Sequence, residues 1–219
     1  MDRLTAMVTF GLLLTMVMLA ACSPFREEVQ VEIGSILNSD PLIEPLPLTV
    51  GVYYGPDLIG RNEVAMDYAY SNGKLRTAWA YQLALGSSSV AAFDRVFGAL
   101  FERTVRLGRN PPTASDRAGL DAVIEPRIVS AWRQTIVYEF AFATPTGEEI
   151  ATWMVEGIAD EQKGSDPSEQ VEREVRRAVR NAMAKFMLSF EHQYGVRDWL
   201  HGRADQNRVA VGRAQEGGG

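Results

Sequence analysis

Cysteine and histidine are almost absent from this sequence, and each scarcity closes off a class of chemistry. One cysteine, Cys22, and two histidines, His192 and His201, are all it holds. Structural zinc is held by about four such ligands, so these three residues make no metal set. Nucleotide and nucleophile signatures are missing as well. There is no P-loop, no dinucleotide fingerprint and no G-x-S-x-G elbow. Asn72-Gly73-Lys74 lacks the preceding glycine of a P-loop and reads as a turn. A positive balance is lacking too. The net charge of −6 argues against a nucleic-acid partner, and against a body lying flat on anionic lipid by charge. Nor is any apolar run long. The one from Ala6 to Met18 falls short of the roughly twenty residues a membrane span needs. Glu125, Glu139 and Glu156 could form a carboxylate pair, but outward positions on a half-buried sheet account for them without chemistry. The expectation is a non-enzyme with no cofactor and no metal.

What is present begins at the N-terminus. Arg3 and the α-amine give a weakly positive start despite Asp2, and a short apolar core and small residues follow. That order makes residues 1–21 a secretory signal peptide. Its ending, Leu19-Ala20-Ala21-Cys22, resembles the lipobox of bacterial lipoprotein precursors at all four positions. The resemblance covers the first twenty-two residues and implies lipidation of Cys22: a diacylglycerol thioether on sulfur and an acyl chain on the new amine. Two or three acyl chains hold firmly where one holds weakly. Ser23 stands where an Asp tends to retain such lipoproteins at the inner membrane. The family pattern therefore implies the outer membrane, facing the periplasm. With Cys22 lipidated, no thiol remains for a disulfide in that oxidising compartment. The plainer alternative is an ordinary signal peptide with an incidental Cys22.

Residues 22–47 read as the lipidated cysteine and a tether carrying Pro24, Pro41, Pro45 and Pro47, with one alternating piece, Val29 to Ile33, as a candidate edge strand. Residues 48–200 read as one domain, for which 46% apolar residues suffice, and residues 201–219 as a disordered tail. Within the domain, Leu48 to Tyr54 and Lys74 to Ala84 read as strands separated by a polar loop. Gly86 and Ser87-Ser88-Ser89 offer a break and a cap for a helix over 90–106. The run 121–131 reads as a strand that Pro126 places at an edge or a bulge. Residues 134–144 alternate cleanly and turn at Pro145-Thr146-Gly147 into a returning strand over 149–160. Asp166, Pro167 and Glu169 open a second helix, its apolar stripe running from Val171 to Phe190.

This order predicts an α+β fold of two layers, a mixed and mostly antiparallel sheet with two main helices on one face. The anchor, the element order and the run Gly86 to Phe93 make the chain similar to small envelope-assembly lipoproteins. These include the curli-secretion, lipopolysaccharide-assembly and ABC-transporter auxiliary types. The resemblance implies an accessory protein tied to a membrane through Cys22 and binding another envelope protein. Trp79, Tyr81 and Trp153 are the candidate partner-binding residues, since aromatics anchor interfaces. A periplasmic lipid- or glycan-binding protein or hydrolase is the rival reading. A flat aromatic patch on the sheet face opposite the helices would favour the first, and a deep polar cleft the second.

Overall fold

The computed structural model describes residues 26–29, 44–71, 74–108, 110–132, 134–160 and 167–204, with side chains described at all of these except 26–29, 64–82 and 167–168. The order is β1 (Arg26–Val29), β2 (Leu46–Val52), α1 (Pro56–Ile59), β3 (Glu63–Ser71), β4 (Lys74–Leu83), α2 (Leu85–Leu100), β5 (Phe101–Arg106), β6 (Ala122–Trp132), β7 (Thr135–Ala143), β8 (Glu149–Ile158) and α3 (Pro167–Ser189). A 3-10 turn, Phe190–His192, leads into α4 over 194–204. The signal segment, Cys22, residues 30–33 of the candidate edge strand, Asp166 and the chain past 204 lie outside the described residues.

The chain forms the expected α+β fold, with its strands divided between two sheets. The larger has the order β5-β2-β6-β7-β8 and the smaller β1-β4-β3. In the larger sheet β2 runs parallel to β5 and β6, and β6, β7 and β8 form an antiparallel meander. Period-two alternation makes β7: Ile136, Tyr138, Phe140 and Phe142 are all buried on one face. Helical spacing makes α3: Val171, Val175, Val179, Ala182, Phe186 and then Phe190 are buried on one side. Its other faces carry Glu169–Arg173 at 3.0 Å and the Glu172–Arg176 pair, each an i,i+4 contact.

Both long helices cover the same sheet face. The ring of Phe140 lies 5.6 Å from that of Phe93 on α2 and 4.3 Å from that of Phe186 on α3. Offset and edge-on aromatic pairs of this kind add about 0.5–1.5 kcal/mol each beyond their buried area. Tyr138, fully buried among them, shares a 2.7 Å hydrogen bond with Ser89 of α2. Gly157 of β8 lets α3 come close: a Cβ there would stand 1.9 Å from the carbonyl oxygen of Ala178.

Four expectations need correction. The first helix spans Leu85–Leu100, not 90–106, and Phe101 is already extended at φ −116°, ψ 143°, where β5 begins. Gly86 and Ser87 to Ser89 lie inside that helix, and the glycine serves close packing rather than a break: a Cβ at Gly86 would stand 2.1 Å from the Leu58 oxygen of α1. The stretch before Asn72 is the strand β3, paired antiparallel with β4 from Glu63↔Leu83 to Ser71↔Lys74. Finally, α4 runs to 204, and Arg203, past the expected limit of the body, pairs with Asp121 at the start of β6.

Pro126 sits in β6, an interior strand of the sheet, yet obeys the rule that made it an edge residue. The β2 ladder covers β6 only from Ala122 to Ile124, ending as the Tyr53 amide donates to the Ile124 oxygen at 3.0 Å. Backbone groups of β6 at even positions therefore point to the β2 side. At Pro126 that side has lost its strand, so the missing N–H leaves no ladder bond unmade.

Candidate docking face

The face of the larger sheet turned away from the helices is divided in two. Over β2 and the start of β6, the chain between β5 and β6 folds back. Tyr53, Leu107 and Val123 are buried there, with Leu120 and Val105 packed against them. Gly51 makes room for this cover, since a Cβ would stand 2.5 Å from the Leu120 side chain.

The other half of the face is uncovered by any described residue. Cross-strand register builds it in rows: Arg127↔Glu139↔Met154, Ser130↔Val137↔Glu156 and Trp132↔Thr135↔Ile158. In the first row Arg127 hydrogen-bonds Glu125 at 2.9 Å and reaches Glu139 at 3.5 Å. The Glu125 carboxylate, chiefly through that bond, raises the Arg127 pKa further. Beside and beyond this paired cluster, among Ser130, Glu156 and Thr135, stand exposed apolar side chains. Trp132 is 78% exposed, Met154 63% and Ile158 49%, with Val129 beside them at 48%. An exposed indole among other exposed apolar side chains is the kind of surface that marks an interaction site.

A polar notch opens at the boundary between the two halves. Where β2 ends, β6 continues alone and α1 turns away, leaving about 780 Å³ lined by Tyr53, Pro56, Arg61, Glu63, Glu125 and Arg127 among others. Four of its charges are paired, Arg61 with Glu63 at 2.5 Å and Arg127 with Glu125, and Asp57 adds a further carboxylate to the lining. Among the described residues no group of three or more His, Cys, Asp and Glu could hold a metal ion, and no helix is long and apolar enough to cross a membrane.

The aromatic candidates fare differently. Trp153 is a core residue. It pairs in register with Phe140, so it faces the helices, and its ring stacks on Phe186 at 5.8 Å. The residue turned outward is its neighbour Met154, so Trp153 offers nothing to a partner. Trp79 and Tyr81 lie on β4 with backbone partners Asp67 and Ala65, and their side chains are outside the described residues. Trp132, which the sequence did not single out, is the exposed indole. Cys22 lies outside the described residues.

No family model and no curated protein matches this sequence. Among solved structures, one similar chain is a Xanthomonas campestris protein described under the family DUF330, with a TM-score of 0.44 and 11% identity over 84% of this chain and 99% of that one. A second, described as an uncharacterized protein, has a TM-score of 0.37 and 11% identity over 75% of this chain and 99% of its own. Likeness of that order leaves the functional reading to the residues of this chain.

Proposed function

We propose that this chain is a lipid-anchored accessory protein of the bacterial envelope that binds another envelope protein through the bare half of its outer sheet face. The observation that carries the reading is the row Trp132–Thr135–Ile158, an exposed indole and an exposed isoleucine flanking one small residue on adjacent strands. Water-exposed tryptophan is costly to leave bare and is the residue type most enriched among interface anchors. The lipobox resemblance at Leu19-Ala20-Ala21-Cys22 supports the anchor, and Ser23 supports an outer-membrane address facing the periplasm.

Photocrosslinkers placed at Trp132 and Ile158 of the full chain in intact cells test the docking half, with Trp153 as the buried control. The expected result is one discrete adduct with a different envelope protein from both exposed sites and none from Trp153. Trp132→Ala should weaken the recovered complex by at least about 2 kcal/mol, roughly thirtyfold. No adduct at either exposed site overturns this half. Mass spectrometry of the N-terminal peptide tests the anchor, which fails if Cys22 is found unmodified.

The polar notch favours a second reading, a binder of lipid or glycan or a hydrolase. If that reading holds, Arg127→Ala abolishes ligand binding while Trp132→Ala leaves it intact.

A further inference from the structure

We propose that Arg117 anchors a binding site for a carboxylate carried on a small apolar group, in the cleft between the loop 111–120 and the turn that joins β7 to β8. Arg117 is half-buried, and its Nε atom is buried with no acceptor among the described residues. A buried donor left without an acceptor is costly, the more so on a charged group, and an anion bound beside it removes the cost. Two neighbouring carboxylates are engaged elsewhere. Asp116 precedes Arg117 in the chain, and it accepts from the amide and the hydroxyl of Thr113 at 2.8 and 2.7 Å. Glu125 shares a cavity with Arg117 but accepts from Arg127 at 2.9 Å.

The fold holds the guanidinium in place before any ligand arrives. The Thr113–Asp116 bonds close one turn of the loop, the Ala118 amide donates to the Ser115 oxygen at 3.3 Å, and the Leu120 amide to the Arg117 oxygen at 3.2 Å. Leu120 in turn packs on the buried cluster of Tyr53, Leu107 and Val123. On the opposite wall Gly147 takes φ 93°, and a Cβ there would stand 3.0 Å from Nη1 of Arg117. The glycine thus serves twice, turning the hairpin and letting the guanidinium lie along it. A binding group fixed beforehand loses less freedom on association.

Cavities open on both sides of Arg117. The larger, about 430 Å³, is walled by Pro112, Ala114, Ala118, Leu120 and Pro145, with Thr146 at its rim. The smaller, about 240 Å³, is lined by Tyr53, Ala141, Ala143 and Glu125 among others. A planar guanidinium meets a carboxylate through two parallel N–H···O bonds. The charges select a monoanion. Arg117 is the one charged residue among those lining the larger cavity, and Glu125 in the smaller one repels a second negative charge. The apolar walls select a short aliphatic body over a polyhydroxylated one. The site lies where Val123 pairs with Ala143, at the far end of β7 from Thr135, the register partner of Trp132. It therefore stands or falls apart from the docking face.

The test is a titration of the full chain, labelled with nitrogen-15 at arginine, against sodium butyrate, butyramide, N-acetylvaline and inorganic phosphate. The Nε–H resonance of Arg117, assigned by its loss in Arg117→Gln, should move saturably with butyrate and with N-acetylvaline. The tighter of these two tells a free acid from a peptide end as the source of the carboxylate. Butyramide and phosphate should each bind at least about tenfold more weakly than the better carboxylate. By calorimetry, Arg117→Gln should lose at least about tenfold in affinity while its melting temperature holds, and Arg117→Lys, which keeps the charge without the fork, should fall between. Trp132→Ala should bind as the unsubstituted chain does. A resonance that no carboxylate moves, butyramide or phosphate binding as tightly as the carboxylates, or full affinity in Arg117→Gln overturns the site.

Discussion

Replacing Gly157 by alanine sets a single methyl group against the backbone of α3. The added Cβ would stand 1.9 Å from the Ala178 oxygen, 2.7 Å from the Ala182 nitrogen and 2.8 Å from the Ala182 Cβ. None of these is the free end of a flexible side chain, so the relief must come from the helix as a whole. Opening 1.9 Å to the 3.4 Å of ordinary contact moves α3 off β8 by roughly 1.5 Å. Val179, Ala182 and Phe186, all fully buried, sit on that stretch of helix. A radial gap of even 0.5–1 Å forfeits about a quarter to a half of the dispersion attraction. The expected cost is about 3 kcal/mol, at the top of the overpacking range, or roughly 6–12 °C in melting temperature for a chain of this size. Gly98→Ala is the matched control. Gly98 is exposed in α2, an added Cβ meets nothing within 4 Å, and the change should stabilise by about 1 kcal/mol. Urea unfolding followed by far-ultraviolet circular dichroism reads both. If Gly157→Ala leaves the midpoint where it was, α3 does not rest on β8 as described.

Two further outcomes follow from the core. Phe97 is fully buried and its ring meets those of Phe93, Phe101, Phe140 and Phe186, so Phe97→Ala should cost about 3–5 kcal/mol by urea titration. Burial raises the pKa of Tyr138 above its ordinary value, and burial together with a 2.8 Å hydrogen bond to Asp94 does the same for Tyr54. The folded state thus holds these protons more tightly than the unfolded chain. Their contribution is complete below the unfolded tyrosine pKa of about 10 and is lost as pH rises above it. Thermal melts between pH 8 and 11 should fall on the alkaline side, less steeply in Tyr138→Phe.

The elements that local pattern alone determines were legible. α3 carries its apolar stripe and its Pro167 start in the sequence, and β7 carries its alternation. The first helix was misplaced because the aromatic spacing does not stop where the helix does. Phe97 and Phe101 are four apart, so the stripe appears to continue, although Phe101 opens β5 and is buried as a strand residue. β3 was missed because Asp67, Ser71 and Asn72 gave the stretch a polar cast, whereas its pairing with β4 is a tertiary fact. The docking face was the least legible part. Ile124, Pro126 and Ile128 pair with Phe142, Phe140 and Tyr138 on the core face, and strict alternation would send Trp132 there too. The register slips by one between Ile128 and Ser130, and that bulge turns the end of the strand over, bringing Trp132 to the surface. Nothing local in the sequence announces the slip.

The position of β2 also decides how the body would bear a mechanical load applied through the residues before it. β2 is bonded to β5 on one side and β6 on the other, and the Thr49 amide is further held by Asp121 at 2.7 Å. A pull along the strand cannot peel it away one bond at a time, as it could an edge strand, but must shear both ladders together. β1, which precedes it, pairs with β4 over only four residues, Arg26↔Ala80 to Val29↔Leu83. That short pairing would yield first while the larger sheet stays whole. The arrangement works as a weak link in series with a strong one.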